Sequence, residues 1–215
     1  MKHFAIIADG NRRWAKQNNL PSELGYVQGL VCIENLCLYL IERNIEHMSV
    51  FCFSTENWRR TEKEVNYIFD LARDYFIDKK EWYYERGIKV VFRGGRNRLP
   101  DDVVASMHDI EEYTSECTNL TLYIMVDYGG KSDIVEAIAS GAKTEEEITL
   151  HFHSYAPDPD VVVRTGGRKR LSNFMLWQAA YSELFFIDTL FPDFDEEELD
   201  EILHEYENTQ QNYGK

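Results

Sequence analysis

The sequence predicts an α/β protein, a single domain over residues 1–215 in which helices flank a central, mostly parallel sheet. Two observations lead to this prediction. Six short aliphatic runs recur along the chain, and the stretches between them carry apolar residues with the period of a helix. Alternating strands and helices favour a parallel sheet covered on both faces. No internal repeat and no linker rich in Pro, Gly or Ser divides the chain.

The predicted elements follow in chain order. The strands are Phe4 to Ala8, Met48 to Phe53, Ile88 to Phe92, Leu120 to Val126, Val161 to Val163 and Leu184 to Ile187. The clearest helical periods are Leu30, Ile33, Cys37, Leu40 and Ile41, then Val65, Ile68, Phe69, Ala72 and Phe76. Seven carboxylates between Asp193 and Glu201 predict the first turn of a C-terminal helix, where the helix dipole favours acids. Ligands of such sheets gather outside the carboxyl ends of the strands.

Charge and cysteine content limit the partners. The chain has 23 Lys and Arg against 38 Asp and Glu, a net charge of −15, which disfavours nucleic acids and polybasic membrane binding. The cysteines at positions 32, 37, 52 and 117 form neither a CxxC pair nor a zinc-site spacing, so they predict reduced thiols in a cytoplasmic protein. The first apolar run is too short for a signal peptide. Glu34 and Asn35 interrupt the most apolar stretch, Leu30 to Ile41, so no segment is predicted to span a bilayer.

A first polar segment, Asp9 to Lys16, follows the first predicted strand. Gly10 permits a tight turn, and the next helix opens with free backbone N–H groups beside Arg12, Arg13 and Lys16. These features predict a phosphate cradle, at whose edge Asp9 could hold a divalent cation. A plain strand–turn–helix in which Asp9 only caps the helix fits the same residues.

A second segment, Phe51 to Arg60, also ends an apolar run. Ser54, Glu56 and Asn57 offer hydrogen bonds, Trp58 offers a flat apolar wall, and Arg60 can pair with phosphate. A helix start capped by Ser or Thr would look similar. We favour binding, because a cap does not require the Trp-Arg-Arg that follows.

A third segment, Asp158 to Phe174, delivers Arg164 to the end of a short strand. A Thr-Gly-Gly loop follows, with Arg168, Lys169, Arg170 and Ser172 around a helix start. Several cations on one glycine turn indicate a bound anion. A solvated basic loop is the alternative, and it explains Arg168 and Lys169 better than Arg164.

The motifs of these segments resemble, in their order, those of the cis-prenyltransferases. The quoted residues are Asp9-Gly-Asn-Arg-Arg-Trp14, Phe53-Ser-Thr-Glu-Asn-Trp58, Asp127-Tyr-Gly-Gly130 with Asp133-Ile134, Arg164-Thr-Gly-Gly167, Arg170-Leu-Ser-Asn-Phe-Met-Leu-Trp-Gln178, Tyr181-Ser-Glu-Leu-Phe-Phe186 and Phe191-Pro-Asp-Phe194. The resemblance runs from residue 3 to Tyr213-Gly214. It implies a homodimer with a parallel-sheet fold that elongates an allylic diphosphate with isopentenyl diphosphate.

The resemblance also implies roles for individual residues. Asp9 and Glu183 are expected to hold Mg²⁺, with Glu183 placed beside Asp9 or contributed across the dimer interface. The expected substrate-binding residues are Gly10, Asn11, Arg12, Arg13, Trp14, Tyr26, Ser54, Thr55, Glu56, Trp58, Arg60, Arg164, Arg170 and Ser172. Asn57 is expected to be catalytic together with Asp9, and Glu64 belongs to the helix start that closes over the substrates. The helices Leu30 to Ile41 and Val65 to Trp82, with Leu122 to Val126, are candidate walls of an apolar channel.

Several positions depart from the family pattern. Tyr26 stands in place of the usual His, Ser22 in place of a basic residue, Arg168 in place of Glu, Asp127 and Lys131 in place of Asn and Arg, and Asn212 in place of Arg. The region between Ile134 and Asp158 is also short. The expected product is a polyprenyl diphosphate such as undecaprenyl diphosphate, made from farnesyl diphosphate by a protein with at most peripheral membrane contact. A short-chain or irregular synthase and a non-catalytic subunit are the alternatives.

Overall fold

A computed structural model describes residues 1–209. The strands are β1 (His3–Ile7), β2 (His47–Ser54), β3 (Ile88–Arg93), β4 (Leu120–Tyr128), β5 (Val161–Arg164) and β6 (Glu183–Phe186). The helices are α1 (Asn11–Gln17), α2 (Ser22–Glu42), α3 (Glu62–Glu85), α4 (Asp101–Tyr113), α5 (Gly130–Ala139), α6 (Glu145–His153) and α7 (Glu196–Asn208), with short 3₁₀ turns at Thr55–Arg59, Gln178–Tyr181 and Phe191–Asp193. The predicted fold class and all six predicted strands are confirmed.

The six strands form one sheet in the order β3-β4-β2-β1-β5-β6, and every pairing is parallel. From β1 the chain builds one side of the sheet through β2, β3 and β4. It then crosses over to build β5 and β6 on the other side. The order therefore reverses at β1, and ligands of open α/β sheets bind outside the carboxyl ends of the strands at such a point.

Successive side chains of each strand face opposite sides of the sheet, and this alternation produces two cores. Phe4 and Ile6 of β1 pack with α2, α3, α4 and α7. Ala5 and Ile7 face the other side and pack with Phe174 and its neighbours. The predicted acidic helix is α7, whose first turn is capped by the Asp195 side chain. The predicted free thiols agree with the structure, which contains no disulfide among residues 1–209.

Helix α2 corrects one prediction. It begins at Ser22, before the apolar run at Leu30, and its 21 residues contain an 18-residue window with a mean hydropathy of 1.5, long and apolar enough to cross a membrane. The prediction considered only the stretch from Leu30 to Ile41 and did not include the residues from Ser22 that belong to the same helix. In the fold, α2 is a core helix that buries Leu36, Cys37 and Leu40. Its Gly25 lies directly on α1, since an added Cβ would be 2.1 Å from the carbonyl oxygen of Asn11.

Candidate active site

Asp9 and Arg164 meet at the point where the strand order reverses. Ile7 and Arg164 are paired in register on β1 and β5, so the residues that follow β1 lie beside the end of β5. Arg164 Nη2 donates to Asp9 Oδ2 at 2.9 Å, and Arg13 Nη2 donates to Asp9 Oδ1 at 3.1 Å. The Asp9 side chain is 29% exposed, whereas that of Arg164 is 6% exposed. A partly accessible carboxylate therefore stands between two guanidinium groups.

The backbone of Asp9 is held by a residue that the sequence analysis missed. The buried hydroxyl of Thr165 donates to the Asp9 carbonyl oxygen at 2.7 Å and accepts from the Asp9 N–H at 3.0 Å. The Phe191 N–H donates to the same carbonyl at 3.1 Å. The position of Thr165, next to Arg164 in the Arg-Thr-Gly-Gly motif, was the available signal. Asp9 is consequently fixed from two neighbouring segments.

Arg164 is also fixed, and it organises the loop behind it. Its Nη1 donates to the carbonyl oxygen of Arg170 and to Ser172 Oγ, both at 2.6 Å. Its Nε is buried and finds no hydrogen-bond partner among residues 1–209. The side chains of Arg168, Lys169 and Arg170 are exposed. The structure therefore brings the predicted residues Asp9, Arg13, Arg164, Arg170 and Ser172 together, while Arg168 and Lys169 fit the solvated-loop alternative.

Two glycine turns make room for this cluster. Gly10 precedes the seven-residue helix α1 with a φ of 128°, a conformation that side chains other than glycine rarely adopt. Gly166 has a φ of 78°, and its carbonyl oxygen accepts from Arg13 Nη1 at 2.8 Å. A Cβ on Gly166 would lie 2.2 Å from Arg13 Nη2. Glycine at this position is therefore required for Arg13 to reach Asp9.

A second polar cluster joins α2 to α3. The Tyr26 hydroxyl donates to Glu64 Oε1 at 2.7 Å and accepts from Arg60 Nη1 at 3.1 Å. Arg12 lies 3.4 Å from the same carboxylate. Burial and the bond to Glu64 raise the pKa of Tyr26 well above its usual range, so the phenol stays neutral. Tyr26, which stands in place of the family's usual His, therefore provides a polar group at that position.

The segment after β2 forms the cap that the sequence analysis considered and did not favour. Ser54 and Asn57 make a capping box, in which Asn57 Oδ1 accepts from the Ser54 N–H at 3.1 Å. This cap forms because the turn at Thr55–Arg59 otherwise leaves backbone N–H groups without acceptors. Glu56 accepts from Asn173 Nδ2 at 3.1 Å, which ties the segment to the loop of Ser172. Capping and a role near substrate are compatible for these residues.

Trp58 is oriented by a buried carboxylate. Its Nε1 donates to Asp127 Oδ1 at 2.8 Å, and its ring contacts Phe53 and Phe69. Arg98 binds both Asp127 oxygens, and the Asp127 side chain is 4% exposed. The departure from Asn to Asp at position 127 is thus neutralised by Arg98, to which the sequence analysis had assigned no individual role.

Trp14 and Glu183 are placed away from Asp9. Trp14 Nε1 donates to Asp193 Oδ1 at 2.6 Å, so this predicted substrate contact ties α1 to the turn before α7. Glu183 opens β6 opposite Val161, whereas Asp9 lies beyond the other end of β1. The separation along the strands is about 16 Å at roughly 3.3 Å per residue. Within one chain Glu183 therefore does not lie beside Asp9, which corrects the prediction that the two are neighbours in the same chain. Asn212, another predicted departure from the family pattern, lies outside the described residues.

The donor set around Asp9 fits magnesium bound together with a phosphate. No group of three or more His, Cys, Asp or Glu side chains that could hold a metal occurs within residues 1–209. Mg²⁺ commonly uses one or two protein carboxylates and completes its shell with water and substrate phosphates. A single accessible carboxylate flanked by Arg13 and Arg164, both suited to phosphate, matches that chemistry.

An apolar cavity of about 100 Å³ begins beneath the polar clusters and runs between the sheet and the helices α2 and α3. Asn11 and Tyr26 lie at its polar end. The apolar lining includes Leu30, Ile33, Phe53, Ile68, Phe69, Ala72, Phe76, Met107, Ile124, Val126 and Phe191. The predicted channel walls on α2, α3 and β4 therefore face one cavity.

Comparisons with known proteins agree with this geometry. A family model described as "Putative undecaprenyl diphosphate synthase" matches residues 7–214. The isoprenyl transferase of Aquifex pyrophilus is 42% identical over 100% of this chain and 96% of its own length. The ditrans,polycis-undecaprenyl-diphosphate synthase of Micrococcus luteus, described as (2E,6E)-farnesyl-diphosphate specific, is 37% identical over 99% of this chain and 91% of its own.

Two crystal structures share the fold. Lavandulyl diphosphate synthase from Lavandula x intermedia, solved with dimethylallyl diphosphate, superposes with a TM-score of 0.93 at 28% identity over 100% of this chain and 98% of that chain. A probable undecaprenyl diphosphate synthase from Campylobacter jejuni superposes with a TM-score of 0.84 at 31% identity over 100% of this chain and 99% of that chain.

Proposed function

The chain belongs to the undecaprenyl diphosphate synthase family of prenyl transferases, and from that premise we propose that it elongates farnesyl diphosphate with isopentenyl diphosphate, in the presence of Mg²⁺, to a polyprenyl diphosphate such as undecaprenyl diphosphate. One observation carries the proposal. Asp9 binds Arg13 and Arg164, and the residues on either side of it in the chain, Ala8 and Asn11, line the apolar cavity. A diphosphate at this cluster and a hydrocarbon tail in the cavity can therefore be bound side by side. The farnesyl specificity of the Micrococcus luteus relative supports the primer.

The residues of the site suit charge that develops on a departing diphosphate. Breaking the allylic C–O bond leaves diphosphate as an anion, and preorganised cations stabilise it in the transition state. Arg164 is already held by Ser172 and the backbone of Arg170, so it needs little reorganisation to bind. Mg²⁺ at Asp9, when bound, supplies further positive charge on the diphosphate. The apolar lining excludes water and aligns the two hydrocarbon reactants.

We assign two diphosphate positions to the two polar clusters. The exposed Arg170 and Ser172 at the loop after β5 are proposed to bind isopentenyl diphosphate. The cluster around Arg12 and Arg13 at the start of α1 is proposed to bind the allylic diphosphate. The segment that carries Asn57 and Trp58 is tied to the loop of Ser172 through Glu56 and Asn173, and Glu64 at the start of α3 binds Tyr26 and lies near Arg12. This segment and Glu64 are proposed to close over the reacting carbons.

A second candidate product is a short or irregular prenyl diphosphate. The cavity of about 100 Å³ is small for a long polyprenyl chain. The similarity to lavandulyl diphosphate synthase, whose structure contains dimethylallyl diphosphate, supports this candidate. A non-catalytic subunit is disfavoured, because Asp9, Arg13 and Arg164 form a complete cluster.

Product mass tests the function directly. The purified protein is incubated with Mg²⁺, labelled isopentenyl diphosphate and, in separate reactions, dimethylallyl, geranyl or farnesyl diphosphate. A ladder that extends from farnesyl diphosphate supports the first candidate, and a short product made from dimethylallyl diphosphate alone supports the second. Absence of any labelled product with all three primers would refute the enzymatic proposal. The metal requirement is tested by chelation with EDTA and restoration with Mg²⁺.

We also propose a cytoplasmic homodimer in which Glu183 of one copy approaches the Asp9 of the other. Exposed apolar side chains on α5, α6 and β6 support a subunit interface; they are Val135, Ile138, Leu150 and Leu184. Light scattering at micromolar concentration is expected to give the mass of a dimer. Leu184→Glu is expected to shift that mass toward the monomer, and a wild-type monomer would contradict the proposal.

A further inference from the structure

A second cavity, of about 250 Å³, lies on the opposite face of the sheet at the carboxyl end of β3. Its lining comes from β3, β4, α5, α6 and the turn before β6. We call it the Arg93 pocket and define it by Arg93, Asp133, Glu136, His151, Tyr155 and Gln178. None of these residues takes part in the proposed prenyl transfer.

Arg93 is a half-buried cation that forms no direct ion pair within residues 1–209, although the nearby carboxylates of Asp133 and Glu111 favour its charged form. Its guanidinium lies 4.0 Å from the ring centre of Tyr155, and its Nε is buried with no hydrogen-bond partner within residues 1–209. The neighbouring Arg96, in contrast, binds the two oxygens of Glu111 at 2.7 and 2.8 Å. Burial lowers the pKa of Arg93 from its usual value. A desolvated cation without a direct ion-pair partner is costly, so this position suits an anionic group that contacts the guanidinium from outside the chain.

Gln178 presents the complementary unsatisfied group. The residue is 8% exposed, and its Nε2 donates to Asp133 Oδ2 at 2.9 Å. This bond fixes the amide orientation, because a flipped amide would place its oxygen against the carboxylate. Gln178 Oε1 is consequently left as a buried acceptor with no partner among the described residues. Buried polar atoms in native proteins are nearly always paired, so Oε1 calls for a donor from a bound molecule.

We infer that the Arg93 pocket binds a small amino- or hydroxycarboxylate, whose carboxylate pairs with Arg93 and whose N–H or O–H donates to Gln178 Oε1. The carboxylates of Asp133 and Glu136 line the same cavity and repel ligands with several negative charges, which disfavours diphosphates. Water could satisfy Gln178 but would leave the Arg93 guanidinium without a direct ion-pair partner. A ligand with one negative end and one donor end satisfies both groups.

Calorimetric titration of the full-length protein tests this inference with four probes. L-Serine and lactate carry both a carboxylate and a donor, propionate lacks the donor, and ethanolamine lacks the carboxylate. We expect saturable binding of L-serine or lactate with a dissociation constant of about 1 mM or tighter. Propionate is expected to bind roughly tenfold more weakly, and ethanolamine is expected not to bind. No saturable binding of L-serine or lactate, or equal binding of propionate, would overturn the inference.

A matched pair of variants locates the binding. Arg93→Met removes the charge and keeps an apolar contact with Tyr155, so it is expected to weaken binding at least tenfold. Lys89→Met removes the same charge from β3 four residues earlier and is expected to bind as the wild type does. Because Arg93 has no ion pair to lose, Arg93→Met is expected to fold with an unchanged or higher thermal midpoint. Wild-type binding by Arg93→Met, or equal losses in both variants, would show that the pocket is not the site.

Discussion

The two ends of the parallel strands differ in how their buried polar groups are paired. We call the end where the strands begin the amino edge and the end where they finish the carboxyl edge. At the amino edge, the ring nitrogens of His3 bond to the Pro157 carbonyl and to Ser49 Oγ. At the carboxyl edge, Asn11 Oδ1 and Arg164 Nε are buried and have no hydrogen-bond partner in the part of the chain that the structure describes. The difference shows that pairing at the amino edge serves stability, whereas the carboxyl edge retains unpaired groups that a ligand can use.

Unusual backbone conformations occur in the loop that positions Arg164 at the carboxyl edge. Three residues of the loop after β5 have positive φ angles although they are not glycine: 51° at Ser172, 67° at Asn173 and 40° at Met175. Such conformations cost about 1–3 kcal/mol each in residues with a side chain. This loop holds Arg164 and places Ser172 beside it. Among the described residues, half of the six non-glycine positive φ angles thus lie in this loop, while Asn44 before β2 is an example at the amino edge.

The largest predicted effect concerns Asp9. Asp9→Asn keeps a hydrogen-bond acceptor but loses the charge, and we expect turnover to fall about 10³-fold, as for loss of a strong electrostatic group in a transition state. Because the buried Arg164 loses its carboxylate partner, the thermal midpoint is expected to fall as well, so turnover is measured well below that midpoint. Turnover of labelled isopentenyl diphosphate and a circular dichroism melt measure the two quantities. Near-normal turnover would contradict the proposed role.

Arg98 and Asp127 test whether pairing, and not the end of the strand, decides what a buried polar group does. They lie at the carboxyl edge but are paired, so we predict that they stabilise the fold. Arg98→Met leaves the carboxylate of Asp127 buried and unpaired, and we expect a loss of roughly 3 kcal/mol in the free energy of unfolding. Asp127→Asn keeps an acceptor for Trp58 and leaves a half-exposed Arg98 in water, so we expect a loss of only about 1 kcal/mol. Urea denaturation measures both. Equal losses would show that the buried charge is not the cause.

At the amino edge, His3 predicts a pH dependence of stability. Burial lowers the pKa of His3 to about 4 in the folded state. As the pH falls, the unfolded chain therefore takes up the proton first, so the contribution is complete above pH 6.5 and is lost between pH 6.5 and about 4. The loss amounts to at most about 3 kcal/mol.

His3→Gln serves as the control for this pH dependence, because it removes the titrating group from the same position. Urea titrations at several pH values compare the two proteins. The free energy of unfolding of His3→Gln should fall less steeply over the same window. Parallel curves for the two proteins would exclude His3 as the source.

The smallest predicted effect concerns Tyr26. Tyr26→Phe removes the hydroxyl that joins α2 to Glu64 and Arg60, and we expect a loss of about 1 kcal/mol, seen as a several-fold higher KM for the allylic primer. Initial rates over a range of primer concentrations measure it. An unchanged KM would mean that the cluster around Glu64 does not contact this substrate.

Much of the fold could be predicted because its strands are short buried runs with clear helical periods between them. The convergence of Asp9 and Arg164 could be predicted for a similar reason, since each follows a buried strand and parallel strands end at one edge. The start of α2 at Ser22 was missed because polar residues of its first turn hide the helical period. The position of Glu183 within the chain depends on strand register, which is not encoded in a local pattern. The pairing of Arg98 with Asp127 joins residues on different elements, so no spacing indicated it.

The contact between Gly25 and the carbonyl oxygen of Asn11 has a consequence for mutational tolerance. Any side chain at Gly25 would enter the space of the α1 backbone, so a saturation scan should find this position as intolerant as Asp9. Gly25 is not proposed to bind substrate, and its constraint comes from the distance between two helices. Intolerance to substitution in this protein therefore marks close helix packing as well as chemistry, and only a separate measurement of folding distinguishes the two.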